Sequence, residues 1–99
     1  MHARVVSFLV LPDKMDELIR VFRDVIIPTA RAAKGNHGVT LLTDVATGRA
    51  TAISMWETED DMLAGEKNGY YREQIAKLLP YSEGQPVERH YAVSLEAKS

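Results

Sequence analysis

The sequence predicts an α+β fold in which one antiparallel sheet of four strands alternates with two helices in the order β-α-β-β-α-β. Three observations predict it. Four short segments are rich in β-branched and apolar residues, two others carry apolar residues three and four apart, and proline and glycine mark the joints between them.

Ala3 to Leu11 is apolar except at Arg4 and Ser7 and stops at Pro12, which reads as the first strand. From Asp13 the period changes. Met15, Leu18, Ile19, Phe22, Val25 and Ile26 form one helical stripe, with Asp13 as the expected N-cap and Asp16 and Glu17 where the helix dipole favours negative charge. Pro28 cannot donate a helical hydrogen bond, so this helix should end or kink there, before a Thr29–Lys34 turn closed by Gly35 and a loop through His37. Val39–Val45 and Arg49–Trp56 should pair as a hairpin about Ala46-Thr47-Gly48. Thr58-Glu59-Asp60-Asp61 resembles a capping box and opens the second helix; Asn68-Gly69 interrupts it, and Tyr71, Ile75, Leu78 and Leu79 resume the stripe as far as Pro80. Val87 to Leu95 alternates with period two as a last strand, and the tail after Glu96 should fray.

This order is the ferredoxin-like one. Right-handed crossovers place both helices on the same face of the sheet and leave the other face bare. Yet Val5, Val6, Phe8, Leu9 and Val10, with Ala52, Ile53, Met55 and Trp56, put apolar side chains on both faces. The economical cover is the same face of a second copy, so a homodimer through the sheet is expected; the alternative is a monomer with a moderately apolar exposed face.

At 99 residues one domain is expected, spanning 1–99 with an ordered core at about 3–95. The 45% hydrophobic and 26% charged composition is that of a globular chain. A formal charge of -2, with scattered Lys and Arg, gives no footprint for nucleic acid or a membrane surface. The absence of cysteine excludes disulfides and thiolate sites, and the amino terminus lacks a signal-peptide pattern, so a cytoplasmic location is expected. There is no G-x-G-x-x-G or Walker pattern, and the histidines have no partners at metal-ligand spacing. No cofactor and no metal are expected.

The element order, the Gly48 hairpin, the strand-end Trp56-Glu57-Thr58-Glu59, the segment Tyr70-Tyr71-Arg72-Glu73-Gln74 and the closing Val87-Glu88-Arg89-His90-Tyr91 together resemble the antibiotic biosynthesis monooxygenase (ABM) family of dimeric α/β-barrel proteins. The resemblance implies two sheets packed as a barrel, with a small cavity between each sheet and its helices. It implies cofactor-independent oxidation of aromatic rings or quinols, or haem degradation. Trp56 matches the family's strand-end tryptophan. Ser7 falls where the haem-degrading branch has an asparagine, and residues 58–79 lack the histidine that binds haem iron, so that branch is excluded. Ala52 stands where the polyketide-oxidising branch has an asparagine.

The candidate catalytic residues are therefore His90, a base for an acidic phenol, and Trp56, a stacking surface for a flat ring. Ser7, Phe22, Trp56, Tyr70 and Tyr71 are the candidate substrate-binding residues. Each also has a plainer reading: Trp56 as a core anchor, His90 as a solvated histidine, the tyrosines as packing residues. Two functions follow, a cofactor-independent monooxygenase acting on a small aromatic or quinol-type substrate, or a non-catalytic dimeric barrel binding a small apolar ligand in a stress or pathway role.

Overall fold

A computed structural model describes residues 1–98. Its elements are β1 (His2–Val10), α1 (Met15–Val21), a π-helical segment (Phe22–Ile26), α2 (Ile27–Arg31), β2 (Asn36–Asp44), β3 (Arg49–Trp56), α3 (Glu59–Lys67), α4 (Tyr70–Leu78), a 3-10 turn (Leu79–Tyr81) and β4 (Ser82–Ala92). The strands form one antiparallel sheet in the order β2-β3-β1-β4, the ferredoxin-like arrangement.

Register assigns the faces. Arg4 pairs with Ser54, Val6 with Ala52 and Phe8 with Ala50. Because side chains of paired residues share a face, these project together toward the helices. Leu18, Phe22, Ile26 and Leu78 pack onto them, and the two alanines leave room for these larger helix residues. The opposite face carries Val5, Ile53 and Met55, half-buried, with Leu9, Leu42, Val87 and Tyr91 exposed. Among the described residues no helix is long and apolar enough to cross a membrane.

Four boundaries differ from the sequence-based expectations, each for a local reason. Asp13 does not cap the first helix: it sits at φ 64 in a turn closed by Lys14 N–H donating to the Leu11 carbonyl at 3.1 Å, and Lys14 is the N-cap. The helical path does not end at Pro28. It widens first, with Ile27 N–H bonding the Phe22 carbonyl five residues back, and this π geometry makes room for the proline ring so that α2 runs on to Arg31. β2 starts at Asn36, before a register shift between Asn36 and Gly38, so His37 lies within the strand. β4 begins at Ser82 and ends at Ala92, not Val87 to Leu95. Its early part is hidden by a bulge opposite Ser7 to Leu9 with Gly84 at φ 78, and its end comes where Ala92 meets His2 at the start of β1.

Other expectations stand. Thr58 Oγ1 accepts from Asp61 N–H at 3.0 Å and caps α3, while Gly48 (φ 76) and Gly69 (φ 84) adopt the left-handed geometry that their turns require.

Candidate functional site

A cavity of about 70 Å3 lies between the sheet and the helices. The sheet side is small-residue surface, Val6 and Ala52, with Ser54 beside them; Phe22, Ile26, Ile75 and Leu78 form the helix side. Trp56, the last residue of β3, is 3% exposed and held by its indole N–H donating to Ser54 Oγ at 3.0 Å. Trp56 and Tyr70 also line an outer cleft of about 430 Å3, reached by Thr29, Lys34, Asp61 and Asn68, so these two aromatic side chains stand between the chamber and that cleft.

Polar groups collect at the cavity wall toward β4. Arg4, 3% exposed, donates from Nη2 to the Met62 carbonyl at 2.9 Å and stacks over the Tyr71 ring at 4.1 Å. Its guanidinium lies 3.4 Å from Glu88 and 3.7 Å from Glu66. His90 bonds Glu88 and approaches Glu66 at 3.4 Å. A buried arginine of this kind needs these carboxylates, since an unpaired charge away from water is costly.

The carboxyls respond oppositely. Burial, reinforced by a hydrogen bond shared with Glu88, raises Glu66 above the ordinary glutamate range, Arg4 and His90 only partly opposing it. Burial pushes Glu88 the same way, but hydrogen bonds from Glu66, His90 and Tyr71, with the Arg4 charge, together hold it below that range. Glu66 is thus the member of the pair that holds its proton more tightly. Burial, then the hydrogen bond to Glu88, pushes the Tyr71 phenol well up, and burial raises Tyr70. Both phenols are neutral donors at physiological pH.

The structure brings together Trp56, Phe22, Tyr70 and Tyr71, all of which line the cavity. Ser7 is not among them. It alternates with Val6 and Phe8, so it faces the opposite side of the sheet, where its hydroxyl is 3.4 Å from that of Thr51. His90 shares the helix face as the partner of Arg4 across the β1-β4 ladder, but it stands behind Arg4 and Glu88 and does not reach the chamber. Arg4 and Gln74 line the cavity and were not among the residues singled out from sequence. Strand parity was the available signal, since Arg4 alternates with Val6, Phe8 and Val10. Where the sequence showed no metal-ligand spacing, Glu66, Glu88 and His90 bring ligand-type atoms within 4.8 Å of one another. The positive charge that these carboxylates face is that of Arg4.

Comparison with known proteins agrees with this architecture. The chain is 34% identical over 77 residues to the uncharacterised protein Rv2557 and 38% identical over 79 residues to the uncharacterised protein Rv2558, both of Mycobacterium tuberculosis, matching 78% and 79% of its own length. It spans about a third of each, 32% and 34%. The solved structure of Rv0793 from Mycobacterium tuberculosis superposes with a TM-score of 0.76 at 18% identity, covering 98% of both chains. A Streptomyces coelicolor monooxygenase in complex with nanaomycin D gives 0.75 at 18% identity, covering 99% of this chain and 91% of the other. The antibiotic biosynthesis monooxygenase family model matches residues 1–78, and the chain belongs to that family.

Proposed function

We propose that this chain is a cofactor-independent monooxygenase acting on a small aromatic or quinol-type substrate held in the cavity beside Trp56. The observation that carries the reading is the cavity itself, an apolar chamber between sheet and helices with an aromatic mouth and polar groups on one wall. Such a chamber excludes water, and widened toward the outer cleft it would hold a flat ring against Trp56 and Phe22. The substrate anion reduces dioxygen itself: one oxygen atom enters the ring as a carbonyl and the other leaves as water, taking one hydrogen from that ring carbon and one from the ring hydroxyl. Arg4 supports negative charge on the substrate oxygen. His90 takes part at a distance, receiving a proton through Tyr71 and Glu88, which makes it a positioning and relay residue.

The second reading, a non-catalytic barrel that binds a small apolar ligand, is favoured by one observation. Among the described residues no histidine or carboxylate lines the chamber directly. Oxygen consumption with anthrone- and quinol-type substrates separates the two. The monooxygenase reading expects uptake that Trp56→Ala reduces at least tenfold and His90→Gln reduces with a shifted pH profile; tight binding without uptake supports the binding module.

The same proposal includes a homodimer formed by the face that carries Leu9, Leu42, Val87 and Tyr91. Four large apolar side chains on one sheet face, beside half-buried Val5, Ile53 and Met55, support that assembly.

A further inference from the structure

Trp56 and Tyr70 are the two residues that line both the chamber and the outer cleft. We infer that Tyr70 is a movable partition between the two spaces, seated on Gly65, and that a ligand beside Trp56 occupies chamber and cleft together with Tyr70 swung aside. The inference rests on reading the chamber as the substrate site and adds the residue that sets its size. An apolar cavity of about 150 Å3 takes one benzene ring, and the chamber alone has about 70 Å3. The cleft beyond it has about 430 Å3, a volume typical of small-molecule sites, and adds the polar side chains of Thr29, Lys34, Asp61 and Asn68.

The two aromatic residues are held differently. Trp56 is the fixed post, buried and tied by its indole N–H to Ser54 Oγ. The Tyr70 side chain has no such tie. Among the described residues its hydroxyl is buried without a hydrogen-bond partner, a cost of the shut position that water in the cleft removes when the ring turns outward. The backbone stays behind, because Tyr70 N–H donates to Asn68 Oδ1 at 2.9 Å, so the ring turns about its own side-chain bonds while α4 keeps its place. In the shut position the ring lies on Gly65, where a Cβ would stand 3.1 Å from Tyr70 Cδ1. Glycine at position 65 is thus what lets the partition close. Tyr71, the next residue of α4, lies under the Arg4 guanidinium and lacks this freedom.

Acrylamide quenching of Trp56, the only tryptophan, reads the partition without any substrate. Tyr70→Phe keeps the ring but gains no bond to water on opening, so its Trp56 is expected to be quenched about fivefold less than the parent's, the factor that one neutral hydrogen bond supplies. Gly65→Ala pushes the ring off its seat and is expected to raise quenching severalfold. A general loosening of the fold would raise quenching in both variants, so the opposite signs are what a partition alone produces. Quenching unchanged or raised in Tyr70→Phe overturns the partition, as does parent protein quenched like a free indole. Stopped-flow binding of 1-naphthol under nitrogen then reads the ligand, with entry expected to slow in Tyr70→Phe and quicken in Gly65→Ala. Entry rates that neither variant changes overturn the joint occupancy. Naphthol that fails to bind while the quenching order holds leaves the partition standing and overturns the joint occupancy together with the cavity reading.

Discussion

At Arg4 a fixed positive charge is buried against two carboxylates, a carbonyl and an aromatic ring, and each contact compensates for water lost. Removing one partner of a fully buried pair costs roughly 3–5 kcal/mol. Glu66 and Glu88 keep 31% and 28% side-chain exposure, so solvent screens part of the loss. Arg4→Met is therefore expected to destabilise by about 2 kcal/mol, lowering the melting temperature by roughly 10 °C; thermal unfolding followed by circular dichroism checks it, and an unchanged midpoint would show that the cluster contributes nothing net. The same residue shows what a one-dimensional reading misses. Trp56, Phe22, Tyr70 and Tyr71 were legible as candidates, and all four line the cavity. Arg4 looked like an interruption of an apolar strand, and only its pairing with Ser54 and His90 reveals that it points inward. Ser7, a residue of the same strand, was assigned to the cavity although its parity with Val5 and Leu9 sends it to the other face.

Between elements, α3 and β4 meet through Glu66 and Glu88, and the opposite shifts of the two carboxyls make that contact sensitive to pH. Glu66 binds its proton more tightly in the folded than in the unfolded chain, so its contribution is complete below the ordinary glutamate value of 4.5 and is lost as pH rises through its raised value. Glu88, held low, behaves oppositely: its contribution is present above its unfolded value and is lost on acidification. Glu66→Gln keeps a hydrogen-bond donor for Glu88 without a titrating group. It is expected to be more stable than the parent at pH 7 by ~0.5 kcal/mol, a figure set by partial exposure. The difference should close as pH falls toward 4.5. Urea midpoints at both pH values decide it, and a variant less stable at pH 7 would contradict the raised Glu66 carboxyl. Element boundaries were legible where a single residue type dictates the backbone, as at Thr58, Gly48 and Gly69. They were not where two elements negotiate the geometry. The π-helical segment before Pro28 depends on carbonyl spacing along the helix, and the early start of β4 depends on a bulge against β1 that no periodicity records.

For the whole molecule, the question is what covers the sheet face that the helices leave bare. Both crossovers lie on one side, so no part of residues 1–98 packs over Leu42, Val87 and Tyr91, which are 52%, 48% and 52% exposed. An apolar surface of this kind on a small domain supports the proposed interface, and a two-fold axis lets one patch serve as its own partner. Ile53 sits near the middle of that face, flanked across the ladders by Val5 and Thr40. A lysine there would place two like charges close together at the centre of a symmetric contact, where they are desolvated, while leaving the helix-side core untouched. Ile53→Lys is therefore expected to shift the sedimentation mass from about twice 11.1 kDa to that of one chain, with far-ultraviolet circular dichroism unchanged. Because the face is remote from Trp56 and Gln74, ring binding should survive in the monomer if the chamber is built from one chain alone. Parent protein sedimenting as a monomer would remove the dimer from the proposal, and Ile53→Lys remaining dimeric would move the interface off this face.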